Sequence, residues 1–132
     1  MSSILRSKSY TFALQVVELY KHLSNTKKEY VLSKQLLRSG TAIGALMQEA
    51  EFAQSKADFV SKMSIALKEA NETNYWLSLL YDAKYIELNE KDKLLTVNKE
   101  LISMLVATIK TSKANLQKKW RFSFFWFLVF HF

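Results

Sequence analysis

Ser39, Thr41, Glu69, Glu72, His22 and His131 are the side chains from which chemistry would be assembled in this chain. Ser39 and Thr41 become nucleophiles only with a base beside them, and none stands near them in sequence. Glu69 and Glu72 have the i, i+3 spacing of metal-binding carboxylates. A di-iron site of that kind needs Glu-x-x-His on a helix, and Glu69-Ala70-Asn71-Glu72 carries no histidine, so a solvated acidic face accounts for the pair. His22 and His131 are far apart and away from any carboxylate cluster. With no cysteine there is no thiolate chemistry, disulfide framework or cysteine-type zinc site. Gly40-x-x-x-Gly44 lacks the Lys-Ser/Thr that completes a phosphate loop. The chain therefore reads as non-enzymatic, with no catalytic residue, metal ligand or cofactor site.

Charge offers a different chemistry. The net charge is +7, and it is uneven. Residues 1–48 carry seven basic and two acidic side chains, residues 49–100 seven and ten, and residues 101–132 five and none. One basic group, Lys21, Lys27, Lys28, Lys34 and Arg38, surrounds the first interhelical link. A second, Lys110, Lys113, Lys118, Lys119 and Arg121, lies late in the chain. Such groups favour RNA or DNA through phosphate contacts that are salt-sensitive and read no bases. The plainer reading is solubility, with lysines on solvated helix faces.

The elements that position these residues are helical. The chain of 132 residues has no proline and two glycines, which suits long helices and not an all-β fold. Residues 1–119 form one bundle domain, followed by an aromatic tail, 120–132. The first helix spans about 9–23 on Phe12, Ala13, Val16, Leu19, Tyr20 and Leu23. The second spans about 32–54 on Leu36, Ile43, Met47 and Ala50, with Gly40 on the same face. The third spans about 56–85 on Phe59, Met63, Ala66, Leu67, Ala70, Leu77 and Tyr81, after a capping box at Ser55-Lys56-Ala57-Asp58. The fourth runs from a cap at Asn89-Glu90-Lys91-Asp92 to about 119, on Leu94, Val97, Leu101, Met104, Leu105 and Thr108. Spacings of three and four make each set one stripe. Links this short join antiparallel neighbours, so the fold class is all-α, an antiparallel up-down-up-down four-helix bundle. Asn74 and Thr108 interrupt the stripes, and Asn74 reads as a satisfied amide that fixes register.

Two helices carry apolar residues on a second side: Trp76, Leu79, Leu80 and Ala83 on the third, Ala45 and Phe52 on the second. A monomeric bundle helix needs one stripe, and large exposed apolar patches mark interfaces. The expectation is self-association through these residues together with Arg38 and Glu49. Those two lie three turns apart, too far for mutual contact, so each meets another helix or another subunit.

The run Gln35-Leu36-Leu37-Arg38-Ser39-Gly40-Thr41-Ala42-Ile43-Gly44-Ala45, then Glu49-Ala50, Asp58-Phe59, Ile65-Ala66 and Glu69-Ala70 with Glu72-Thr73, resembles a family. It is that of the bacterial four-helix bundle proteins linked to intervening sequences in large-subunit ribosomal RNA genes. The same group includes the accessory variability determinant of diversity-generating retroelements. The resemblance covers about residues 9–116. It implies a four-helix bundle assembled as a ring, typically a pentamer. For the retroelement protein it also implies a basic surface engaging nucleic acid and a reverse transcriptase. Leu46 stands where the family usually has Asn, and Ala42 where it usually has Ser. Both changes remove polar groups beside the glycine pair.

The partners expected are the chain itself, RNA or DNA, and a reverse transcriptase or other protein. The alternative is a homo-oligomeric protein-interaction scaffold that binds no nucleic acid. The start of the chain has no apolar run of signal-peptide length, so a cytoplasmic location is expected. In residues 120–132, eight of thirteen are aromatic, a composition unlike the rest. The segment is too short to span a bilayer, which takes about 20 residues. It reads as a frame-shifted or read-through terminus, as an anchor to a membrane surface or partner with Lys118, Lys119 and Arg121 as its anionic-lipid contacts, or as a segment packed back on the bundle.

Overall fold

The computed structural model describes residues 3–131. Four helices follow one another: α1 (Ser3–Asn25), α2 (Leu32–Glu51), α3 (Lys56–Asp82) and α4 (Leu88–His131). Each packs on the next and α1 closes on α4, whereas among the described residues the diagonal pairs do not pack. That is the up-down-up-down bundle expected from the short links. The α1–α4 seam is the thinnest of the four.

The core is the set of stripes brought together. Phe12, Val16, Leu19 and Leu23 of α1 meet Leu36, Ile43, Met47 and Ala50 of α2, Met63, Ala66, Ala70 and Leu77 of α3, and Leu94, Leu101 and Leu105 of α4. The glycines allow the first two helices to approach closely. A Cβ added to Gly40 would lie 2.8 Å from Val16 Cγ2, and one added to Gly44 would lie 3.3 Å from the Ser9 carbonyl oxygen. Leu46 packs partly buried against the core, so the apolar residue at that position serves packing.

Several sequence expectations are corrected. Leu80, expected on the outer face of α3, is fully buried in the core. Trp76 is partly buried against the same core, and Leu79 is partly buried. The α4 stripe contains Asn98 and Ile109, with Val97 and Thr108 only half-buried. Thr108 donates to the Met104 carbonyl of its own helix, 2.8 Å away. Asn74 is half-buried and accepts a hydrogen bond from Asn98 Nδ2 at 2.7 Å; the same nitrogen donates to the Ala70 carbonyl at 2.7 Å. The register-fixing amide is thus Asn98, and Asn74 is its partner. Helix α1 also begins at Ser3, ahead of the expected start at about 9, and buries Leu5 and Ser9. Finally, α4 continues through the aromatic segment to His131 without a break, because nothing after Gly44 is a helix-breaking glycine or proline.

The links are closed by side chains acting as caps. Glu29 is buried, and its carboxylate accepts from the backbone N–H groups of Val31 (3.1 Å), Leu32 (2.9 Å) and Ser33 (2.7 Å). These are the orphan donors at the start of α2. Burial alone would raise the Glu29 pKa, but those N–H groups and the Ser33 hydroxyl outweigh it and hold the carboxyl below its ordinary value of 4.5. Ser55 accepts from Asp58 N–H at 3.0 Å, and Asp58 reaches back to accept from Gln54 N–H at 3.1 Å. The capping box therefore closes one residue further out than the usual form. The cap expected at Asn89–Asp92 is corrected: α4 starts at Leu88, so Asn89 lies inside the helix, and Glu90 in the first turn reaches back to accept from Glu87 N–H at 3.1 Å.

Candidate interaction surfaces

Ser39, Thr41, Glu69 and Glu72 are all engaged within the bundle. Ser39 and Thr73 are fully buried, with their oxygens 3.0 Å apart across α2 and α3. Thr41 donates to the Leu37 carbonyl at 2.7 Å. Glu69 and Glu72, expected to form a solvated acidic face, instead receive the Arg38 guanidinium. The Arg38–Glu69 distance is 3.4 Å, and Arg38 Nη2 also meets Glu72. Glu72 further accepts from Trp76 Nε1 at 3.1 Å. Among the described residues no group of three or more His, Asp or Glu side chains could hold a metal ion.

The predicted interface residues divide between the two ends of the bundle. On α2, Arg38, Ala45, Glu49 and Phe52 fall within roughly 60° of one another at 3.6 residues per turn, and all four are exposed. Two of them are bound to the neighbouring helix, Arg38 as above and Glu49 to Lys62 at 3.4 Å. That leaves Ala45 and Phe52 as the unengaged part of the ridge, Phe52 with 75% of its surface exposed. Trp76 joins the Arg38 end through Glu72, with Tyr75 edge-on at 4.9 Å between ring centroids. Ala83 is exposed at the far end of α3.

Some cations tie one helix to another. Arg6 pairs with Glu51, Lys8 with Glu100, Arg38 with Glu69 and Glu72, and Lys62 with Glu49. Lys27, Lys28 and Lys34, at the first link, are exposed and have no acidic partner among the described residues. Lys21, beside them, is 3.5 Å from Glu18. Glu29 is the one acidic residue between Lys21 and Gln48, and its carboxylate is turned inward to the α2 N-terminus. Lys28 is held in the left-handed region (φ 56°), a conformation from which Glu29 N–H reaches the Leu23 carbonyl at 2.9 Å.

At the opposite end, α4 outruns the bundle. Leu116 is its last partly buried residue. Leu116, Lys119, Trp120 and Ser123 line a groove against Ser55, Lys56 and Ala57 of the α2–α3 link. At about 100° per residue, Lys110, Lys113, Lys118 and Arg121 fall within roughly 140° of each other, on the side turned from Leu101 and Leu105. Lys119 points the other way, toward the link. After Glu100 the chain has no acidic residue to offset them. The two basic groups therefore sit at opposite ends of the molecule, as expected from the topology. The proximity of Lys56 to the second group comes from the fold and has no signature in local spacing.

A family model described as the 23S rRNA-intervening sequence protein matches residues 2–107. Four chains of solved structures match the fold. One is the 1.70 Å crystal structure of a protein of unknown function from the S23 ribosomal protein family of Bacteroides thetaiotaomicron. It is 51% identical with a TM-score of 0.79, over 80% of this chain and 98% of that one. No curated protein gives a match.

Proposed function

The chain belongs to the 23S rRNA-intervening sequence protein family, and on that premise we propose that it is a non-enzymatic, self-assembling bundle that binds the phosphate backbone of nucleic acid. The observation that carries this reading is the sorting of the cations. Those that hold helices together are neutralised by carboxylates. Lys27, Lys28 and Lys34 at one end, and Lys110, Lys113 and Lys118 at the other, have none among the described residues. Unpaired lysines suit phosphate contacts, which fix position and carry no sequence information. A ring of subunits would gather each group into a basic rim. Exposed apolar side chains on the outer faces, Phe52 on α2 and Tyr10 and Leu14 on α1, are available to such an assembly.

A salt titration of RNA and DNA binding tests the reading. Affinity should fall linearly on a log–log scale and be similar for unrelated sequences. The full-length variant Lys27→Gln/Lys28→Gln/Lys34→Gln should weaken every sequence alike. It should also flatten the salt slope by about 0.7–0.9 for each phosphate that is no longer neutralised. Absence of binding even at low salt would overturn the nucleic-acid reading. A monomer in sedimentation at micromolar concentration would overturn self-assembly.

A further inference from the structure

The described part of the aromatic segment, residues 120–131, is a helix without a buried residue. Trp120, Phe122, Phe124, Phe125, Trp126, Phe127, Leu128, Val129 and Phe130 all keep between 41% and 75% of their surface exposed. They are not confined to one face. Phe122, Trp126 and Phe130 form one row, with ring centroids 6.1 and 4.2 Å apart, while Phe124, Phe127 and Leu128 lie on other sides. A helix that docks in a protein groove, or lies flat on a membrane, keeps a polar face for water. From residue 122 to 131 the only polar side chains are Ser123 and His131, so what covers this stretch must surround it. A helix apolar all round is at home in a protein core or in hydrocarbon.

Three features select hydrocarbon, and one of them, the basic collar, shares Lys118 with the nucleic-acid reading. Residues 122–131 rise about 15 Å at 1.5 Å per residue, which is half of the roughly 30 Å hydrocarbon core of a bilayer. No helix among the described residues is long and apolar enough to cross a membrane, so the match is to one leaflet. At the root of the segment stand Lys118, Lys119 and Arg121, with Lys56 of the α2–α3 link lining one groove with Lys119. These cations form a collar where the helix leaves the bundle, at the height where lipid headgroups would lie. They would also repel a second copy's collar in any parallel pairing of two such helices. Phe52 is exposed at the same end of the bundle, at the close of α2.

We propose that α4 inserts residues 122–131 into one leaflet of an anionic bilayer, with Lys56, Lys118, Lys119 and Arg121 at its phosphate headgroups. The bundle then stands on the membrane by one end and leaves the Lys27, Lys28 and Lys34 end pointing away. Cosedimentation of the full-length protein with vesicles tests this. One set is pure phosphatidylcholine and the other contains 30% phosphatidylglycerol (roughly the anionic content to which polybasic segments respond). The wild type should sediment with the anionic vesicles. At about 1 kcal/mol per basic residue, the full-length variant Lys118→Gln/Lys119→Gln/Arg121→Gln should lose affinity on the order of 100-fold there and change little on neutral vesicles. The full-length variant Phe125→Asp/Leu128→Asp should stay in the supernatant with both. In a variant whose one tryptophan is Trp126 (Trp76→Phe/Trp120→Phe), brominated acyl chains should quench its emission. Wild-type protein that ignores both vesicle types would overturn the proposal. So would sedimentation that survives the two aspartates, or Trp126 emission blind to brominated chains. Free phosphate or RNA that competes for the collar without releasing the quenched Trp126 would leave insertion established, and loss of RNA binding in the link-lysine variant would leave it untouched.

Discussion

The two halves of α4 make an instructive contrast. From Leu88 to Ile109 the helix is modestly apolar and buries Leu94, Asn98, Leu101, Leu105 and Ile109. From Gln117 to His131 it contains the chain's most hydrophobic stretch and buries nothing. Hydrophobicity alone therefore does not recruit a segment to the core. A stripe does, because it lets a helix cover its apolar side and keep its polar side in water. The first half has even placed an asparagine inside, since its amide finds the Ala70 carbonyl and the Asn74 side chain at 2.7 Å each. A buried polar group with partners is tolerated, whereas an apolar helix with no polar face cannot join a bundle that is already closed.

The largest test of this contrast compares two phenylalanines. Phe12→Ala removes a fully buried ring and should cost about 3–5 kcal/mol. Phe125→Ala removes an exposed one and should change stability by less than about 0.5 kcal/mol. Urea unfolding of the two variants measures both; a large loss at Phe125 would mean the distal half of α4 is packed in solution and would break the comparison. A middling effect is expected at Gly40. Alanine there gains about 1 kcal/mol of helix propensity but meets Val16 Cγ2 at 2.8 Å. Overpacking of about 1–3 kcal/mol should win, so Gly40→Ala should lower the thermal midpoint. Gly44→Ala, with its nearest contact at 3.3 Å, should do so less. A modest effect is expected at the cap. Glu29→Gln should cost about 1 kcal/mol at neutral pH. The folded-state pKa of Glu29 is lowered, so its contribution is complete above the ordinary value of 4.5 and disappears as pH falls through the folded value. Denaturation of both proteins along a pH series should show their difference shrinking only on the acid side.

Much of the bundle is legible from spacing. Recurrence at three and four assigns Phe12, Val16, Leu36, Ile43, Met47, Met63, Leu77, Leu101 and Leu105 to the core, and they are there. The glycine pair is also legible, as a close approach between helices. Leu80 is not. Trp76, Leu77, Leu79, Leu80 and Tyr81 are apolar around most of the wheel, so the wheel cannot choose its inner side; the position of α4 chooses it. Asn98 escapes for the opposite reason, since a polar residue reads as outward until its partners on α3 are in place. Arg38 and Glu49 are expected to reach another helix or subunit, and each reaches α3. Their partners lie 31, 34 and 13 residues away in sequence, beyond any local pattern. The end of α4 is illegible because composition changes at Trp120 and backbone preference does not.

The thin α1–α4 seam has a kinetic consequence. Every other packed pair joins helices adjacent in the chain, so each can form as a hairpin after a short loop closes. Proteins dominated by such local contacts fold quickly. The seam alone unites distant stretches, as in Lys8 with Glu100. Its two helices also bury the side-chain oxygens of Gln15 and Asn98 without giving them a hydrogen-bond partner among the described residues. It is the contact whose loop-closure entropy is greatest and whose reward is least. Closing it is expected to be the last step of assembly and opening it the first step of unfolding.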